Sequence, residues 1–260
     1  MKIPAIDFLR GLAALGVVWY HSRVDLWVGF RKIHHDPENY TGLDRVLSWA
    51  SLPVSQLGAL VMLFFVLSGF CIHLPLAGKD RFVDWSSYVS RRFLRIYPAY
   101  LLILVLCYGG AVALYQWFED IPPINSTYLF SMLMLQNWFA GNVQVAMNPS
   151  LWSIPVEIEL YAVYPLLLFI YLRFGIRASL VYTMACTGVG WALHLFGLSI
   201  ATGSFFKYAI IWNSGAWLAE RYARGTLPSW TRRQTACLFL ALITTPALAL
   251  SGIGKFYLDY

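Results

Sequence analysis

Apolar runs about twenty residues long recur along this chain, and they restrict it to folds that live in a lipid bilayer. The runs fall at about 8–27, 57–77, 96–118, 153–172, 180–200, 203–219 and 235–253. A helix needs roughly 20 apolar residues to cross a hydrocarbon core about 30 Å thick. Backbone amides find no water there, so each span must satisfy its own hydrogen bonds as a helix. The composition agrees: 59% of the 260 residues are hydrophobic and 12% are charged, about half the charge fraction of a soluble domain. The apolar segment Tyr128–Phe139 is only about twelve residues long, which suits a short or re-entrant element better than a crossing. The expected fold class is therefore all-α: a polytopic integral membrane helical bundle of about 7–8 transmembrane spans, with a short re-entrant segment near 128–139. No repeat, linker or second soluble region divides the sequence, so 1–260 reads as a single domain.

The net charge of +6 is spread between the apolar runs rather than gathered in one stripe. That distribution argues against a nucleic-acid partner and for the positive-inside bias of a membrane protein. The link at 78–95 carries Lys79, Arg81, Arg91, Arg92 and Arg95, which places it, and the N-terminus with Lys2 and Arg10, on the cytoplasmic side. The link at 119–126 has Glu119 and Asp120 without Lys or Arg, as an outer link would. Arg173 and Arg177, and then Arg221, Arg224, Arg232 and Arg233, return to the inside if 128–139 does not cross. Cys71, Cys107, Cys186 and Cys237 sit in apolar runs without CxxC or CxxH spacing, so they read as small core residues and no metal site is expected. An Asp and an Arg interrupt the first run, and Tyr20-His21-Ser22 is a poor cleavage site, so the first helix reads as retained.

Chemistry concentrates in three places. Arg10 and His21 are separated by the uncharged ten residues Gly11–Tyr20; eleven steps of an α-helix return to within about 20° of the same face, about 16 Å along the axis. Both then lie at membrane depth, where ionisable groups face protein or a water-filled cavity. Asp7, three residues before Arg10, can neutralise it, and Asp25, four after His21, can orient the imidazole as a general base. A snorkelling Arg10 and an interfacial His21 are the plainer alternative. The second place is Arg91-Arg92-x-x-Arg95 with Pro98. Arg92 and Arg95 are neighbours on one helical face, and at a helix N-terminus opened by Pro98 they would cradle phosphate. Topology-setting positive charge is an equally good reading of the same residues. The third is Ser150-Leu151-Trp152-Ser153-Ile154-Pro155-Val156-Glu157-Ile158-Glu159-Leu160-Tyr161. Glu157 and Glu159 are about 200° apart on a helix and cannot share a cavity, whereas Glu157 and Tyr161 share a face. A helix-initiating glutamate is also simply favourable with the dipole. Ser68 and His73 in the second run could line the same cavity; His34 and His35 read as solvated loop residues and His194 as a packing residue.

Four segments in this order resemble the membrane-bound acyltransferase-3 family: Ile6-Asp7-Phe8-Leu9-Arg10-Gly11-Leu12-Ala13-Ala14 running to His21, Phe64-Phe65-Val66-Leu67-Ser68-Gly69-Phe70, Arg91-Arg92-Phe93-Leu94-Arg95-Ile96-Tyr97-Pro98, and Ser150–Tyr161. The resemblance covers roughly residues 3–172. It implies transfer of an acyl group, usually acetyl from acyl-CoA as co-substrate with no bound cofactor, to a hydroxyl of a carbohydrate or glycolipid such as a surface polysaccharide or lipopolysaccharide. It implies an enzyme of the bacterial inner membrane. By the same resemblance, His21 is the base or acyl relay with Arg10 and Asp7 beside it, and Arg92 and Arg95 bind the CoA donor. Glu157 is the functional carboxylate of a block with Ser150, Trp152 and Ser153; from the spacing of the residues themselves, Ser68, His73 and Tyr161 are expected to line the same cavity. The family has more spans than this sequence supplies, so the resemblance implies either a truncated or fragmentary member or a compact variant. A transporter or flippase for a lipid or glycan would also need Arg, His and Glu at membrane depth, and it is the competing class.

Overall fold

The structure, a computed structural model, describes residues 3–26, 36–78, 83–115, 126–139, 148–197 and 204–227, together with Ile33, Val145, Thr231 and Arg233. The expected span at 235–253, His34, His35, Cys237 and the side chain of Asp25 lie outside the described residues. Those described are helical, with no strand among them. In chain order the helices are α1 (Pro4–Leu26), α2 (Gly42–Ala50), α3 (Leu60–His73), α4 (Trp85–Tyr115), α5 (Ser126–Met132), α6 (Gln136–Phe139), α7 (Ser153–Leu195) and α8 (Phe205–Ala223), with 3₁₀ turns at Pro37–Asn39, Leu52–Ala59 and Pro149–Trp152. Among the described residues three stretches are long and apolar enough to cross a membrane by length and composition: Gln56–His73, Trp85–Leu114 and Ser150–Leu195. The chain forms two compact units, Met1–Phe64 with Thr226–Tyr260, and Phe65–Gly225.

In the first unit α1 packs on the 3₁₀ turn Leu52–Ala59 and the residue after it. Gly16 lies against the Leu60 side chain, and the Tyr20 ring covers Gly58 so closely that a Cβ there would meet it at 3.2 Å. The outer surface of α1 is a column of large apolar side chains, Phe8, Leu12, Leu15, Val18 and Trp19, the arrangement of a helix that faces lipid on one side.

In the second unit α4 begins eleven residues earlier than the expected span. Asp84 caps it by accepting from the Ser87 backbone N–H at 3.2 Å, a preferred N-cap interaction. Hydrogen bonds from the Ser87 side chain and backbone hold the Asp84 carboxyl below its ordinary range. Pro98 consequently lies in the helix interior rather than in its first turn, and the expectation that it opens the helix is corrected. The short segment around 128–139 is two pieces, α5 and α6, broken where Met134 adopts a φ of 57°. Seven residues rise only about 10 Å, so neither piece crosses. They cover α4 through a core that includes Tyr100, Leu104, Cys107, Tyr128, Met134 and Leu151.

The long helix α7 is two arms. Gly175 has φ 83° and ψ 171°, a conformation essentially restricted to glycine. The partners of each arm on α8 give its direction. In the first arm Glu159 meets Phe205, Tyr164 meets Trp212, and Tyr171 meets His73, which bonds Glu220. In the second arm Ser179 and Thr183 meet Asn213, and Thr187 meets Phe206. The first arm therefore runs parallel to α8 and the second antiparallel to it. The separate spans expected at 153–172 and 180–200 correspond to these arms, joined by a turn at one glycine instead of a longer link.

That reversal brings the turn at Gly175, the C-terminal end of α8 and the residues after α3 to one end of the unit, with the Gly78 N–H bonded to Glu220 at 3.3 Å. Arg173, Arg177, Arg221 and Arg224 are collected at this end. α3 and α8 approach with no side chain between them: a Cβ on Gly69 would strike the Trp212 carbonyl, and one on Gly215 would strike the Val66 carbonyl and the Phe70 N–H. Small residues at such a crossing are how apolar helices pack closely in lipid.

Candidate active site

The second unit gathers several of the expected residues into one hydrogen-bonded cluster. Ser68 on α3 donates from Oγ to Glu157 Oε1 at 2.9 Å. Tyr161, one turn beyond Glu157 on the first arm of α7, donates to the same carboxylate oxygen and lies 3.0 Å from Ser68 Oγ. From α8, Trp212 Nε1 donates to Ser68 Oγ at 3.3 Å. Glu157 and Tyr161 meet because an i,i+4 pair shares one face. One carboxylate oxygen thus accepts hydrogen bonds from two hydroxyls on two different helices.

Arg92 enters from α4. Its guanidinium carbon lies 5.7 Å from the centroid of the Tyr88 ring and 5.8 Å from that of Tyr161, within the range of cation–π attraction. The Tyr88 hydroxyl donates to the Tyr161 carbonyl at 3.3 Å. Arg92 Nε is buried and has no hydrogen-bond partner, a donor left available inside the protein. Arg95, by contrast, is exposed. The placement of Arg92 and Arg95 at the mouth of a helix and on one shared face of it is corrected on two grounds. The helix starts at Trp85, so the arginines lie two turns and more inside it, beyond the free N–H groups of its first turn. One of the pair is turned into the bundle and the other outward. Trp212, at the level of this cluster, is eight residues and about 12 Å before Glu220, so the cluster lies near the middle of α8 rather than at its basic end.

The Ser150 block has mixed fates. Ser150 Oγ donates to Asn148 Oδ1 and Ser153 Oγ to the Ser150 carbonyl at 3.2 Å, so both serines fold the turn that enters α7. The Trp152 ring lies 5.3 Å from that of Tyr208 and 6.3 Å from that of Phe65, while Asn137 Nδ2 holds its carbonyl at 2.8 Å. Pro155 falls in the first turn of α7, where its missing N–H costs little. Glu159 points away from Glu157, as the 200° separation requires. It accepts from Trp138 Nε1 and from the Phe205 N–H, each at 2.7 Å, and so ties α6 and the start of α8 to α7.

His73 is not part of the Ser68 cluster. It is 2% exposed, with one ring nitrogen 3.1 Å from the Tyr164 hydroxyl and the other 3.0 Å from Glu220 Oε1. Arg224 closes the set on Glu220 Oε2 at 3.0 Å. Trp212, Tyr88 and Glu220 escaped the sequence reading. Two of them lie on α8, beyond the stretch where motifs gave guidance, and the only available signal was a glutamate near the end of an apolar run.

In the first unit Asp7 is exposed, and Arg10 and His21 are half-buried on α1. The His21 ring stands edge-on to Tyr20 with centroids 5.1 Å apart. One turn on, Arg23 Nε donates to Ser51 Oγ at 3.0 Å. His194 is exposed beside Trp191, 5.9 Å between centroids, not enclosed as a packing residue.

A family model described as an acyltransferase domain, that of the acyltransferase-3 family, matches residues 3–260. The peptidoglycan O-acetyltransferase OatA of Listeria monocytogenes is 23% identical over 262 residues, covering 95% of this chain and 33% of that protein. The O-acetyltransferase PaAT-1 of Phomopsis amygdali is 25% identical over 305 residues, covering 95% of this chain and 58% of that one. This chain therefore spans about a third of the length of the first relative and just over half of the second. No solved structure matches it. With its long apolar helices and a family match over nearly its whole length, the chain is a membrane protein that belongs to the acyltransferase-3 family.

Proposed function

We propose that this protein is a membrane-bound O-acyltransferase. It moves an acyl group, acetyl in the first instance, from cytoplasmic acyl-CoA to a hydroxyl of a carbohydrate or glycolipid at the outer side of the membrane. The observation that carries this reading is the cluster in which Glu157 Oε1 accepts the Ser68 and Tyr161 hydroxyls, with the guanidinium carbon of Arg92 over the Tyr161 ring and its Nε buried and unpartnered. A half-buried carboxylate that gathers two hydroxyls, beside a guanidinium with a buried and unpartnered N–H, supplies the polar groups that acyl transfer to a hydroxyl can use. His21, with Arg10 and Asp7 on the same helix, is the base that activates the acceptor hydroxyl or carries the acyl group briefly. Arg92 and Arg95 bind the donor, Arg95 from the surface and Arg92 from within. Residues 1–260 act as one domain, of seven or eight spans with the N-terminus in the cytoplasm, in a bacterial inner membrane.

The test is a membrane assay with radiolabelled acetyl-CoA and an envelope glycan acceptor. The expected result is acetylated glycan from the full chain, none from His21→Ala at equal expression, and loss of acetyl-CoA binding in Arg92→Ala/Arg95→Ala. A folded sample that binds no acetyl-CoA but moves a lipid-linked glycan across vesicles would replace this reading with the transporter.

A further inference from the structure

Helix α2 is built with its polarity reversed. At 100° per residue, Val46, Ala50, Leu43 and Leu47 fall on an arc of about 100°, and Trp49 widens it to about 160°. This arc is the exposed side: Leu43 is 67% exposed, Val46 63% and Trp49 56%. The residue turned into the protein is Ser48, at 3%, diametrically opposite. Asp44 and Arg45 flank it. A helix in contact with water places these faces the other way round.

We infer that α2 is an interfacial helix that lies in the plane of the membrane, with its Leu43–Val46–Leu47 face among the lipid acyl chains. Three observations select lipid as the occupant. Ser51, the residue that ends α2, is only five positions before the membrane-crossing stretch Gln56–His73. The intervening turn rises about 2 Å per residue, so α2 stands within about 10 Å of the point where the chain enters the hydrocarbon. Ser51 is also bonded to Arg23, one turn past Trp19 at the end of the lipid-facing apolar column of α1. The exposed apolar surface of α2 therefore lies beside the end of the exposed apolar column of α1. Finally, Trp19 and Trp49 are each 56% exposed, and tryptophan is the residue enriched where hydrocarbon meets headgroups. The Thr41–Asp44 capping box, with the Thr41 N–H bonded to Asp44 at 2.9 Å, starts the helix without help from a neighbour, as a segment lying on a membrane must.

This inference rests on the membrane setting and is independent of acyl transfer. The full chain, reconstituted in phosphatidylcholine–phosphatidylglycerol nanodiscs with a diazirine on the lipid acyl chains, is photolysed and mapped by mass spectrometry. The expected result is insertion at Leu43, Val46 and Leu47 at a level comparable with α1 and several-fold above Asp44. Single-cysteine variants Leu43→Cys, Val46→Cys and Asp44→Cys, on a background without the native cysteines, carry a bimane label. Doxyl lipid should quench the first two several-fold more than iodide does, and the reverse should hold at 44. Labelling confined to the spans, quenching of all three labels by iodide, protection of positions 43 and 46 from both quenchers by another part of this chain, or crosslinking of α2 to a second copy would each overturn the assignment.

Discussion

Glu157 is the residue on which the proposed chemistry turns, because two hydroxyls are aimed at one of its oxygens. Replacing it by Gln keeps the shape and a hydrogen-bond acceptor but removes the capacity to take a proton. Glu157→Gln is therefore expected to fold and to bind acyl-CoA like the parent, and to lower turnover by about 10²-fold or more, the usual contribution of a positioned acid–base group, here one acting alongside the base His21. Tyr161→Phe removes only one of the two donors and should lower turnover less, since Ser68 still addresses the carboxylate. Steady-state kinetics with separate kcat and KM for the donor distinguish the two: a rise in KM at unchanged kcat in Glu157→Gln would remove it from the chemical step. Arg92 and Arg95, though only three residues apart, differ in surroundings. One is stacked between tyrosines and the other lies on the surface, so their single variants should differ in effect.

At the scale of the helix, Gly175 is the position where local conformation decides topology. With φ 83° and ψ 171°, any other residue carries about 1–3 kcal/mol of backbone strain. Gly175→Ala is expected to lower the detergent melting temperature accordingly, by straining the turn that folds the two arms of α7 back on each other. Gly69→Ala and Gly215→Ala should cost at least as much, because the new methyl meets helix backbone rather than a movable side chain. Thermal unfolding followed by tryptophan fluorescence measures all three, and unchanged melting in Gly175→Ala would mean that the turn does not depend on glycine. Periodicity and apolar length gave the helices of α1, α7 and α8 to the sequence reading, and angular spacing separated Glu157 from Glu159. Helix starts were less legible: α4 is set by Asp84, a single capping carboxylate in a polar link, and its position moved the arginines from a helix mouth to a helix interior. The link at 28–56, between the first two apolar runs, carries charges that dominate its average. The amphipathic turn pattern of α2 was hidden within it.

At the scale of the molecule, charge and geometry give the same account of the second unit by independent routes. Counting lysines and arginines between apolar runs assigns the links at 78–95 and 173–177 and the residues after 219 to one side. Hydrogen bonds and ring contacts, which know nothing of that count, bring Gly78, the Gly175 turn and Glu220 to one end of the unit. The agreement follows from the reversal in α7, since a straight helix of 43 residues would measure about 65 Å, twice the hydrocarbon thickness, and would carry the apolar second arm out of the bilayer instead of back through it. Cysteine accessibility in intact and permeabilised cells tests the proposed orientation. Arg81→Cys and Arg177→Cys are expected to react with a membrane-impermeant maleimide only after permeabilisation, and Asp120→Cys before it. Reaction of Arg177→Cys in intact cells alongside protection of Arg81→Cys would put the two basic links on opposite sides. That result would contradict the reversal itself and not merely its orientation, because no rigid rotation of the unit separates two links that its own hydrogen bonds hold at one end.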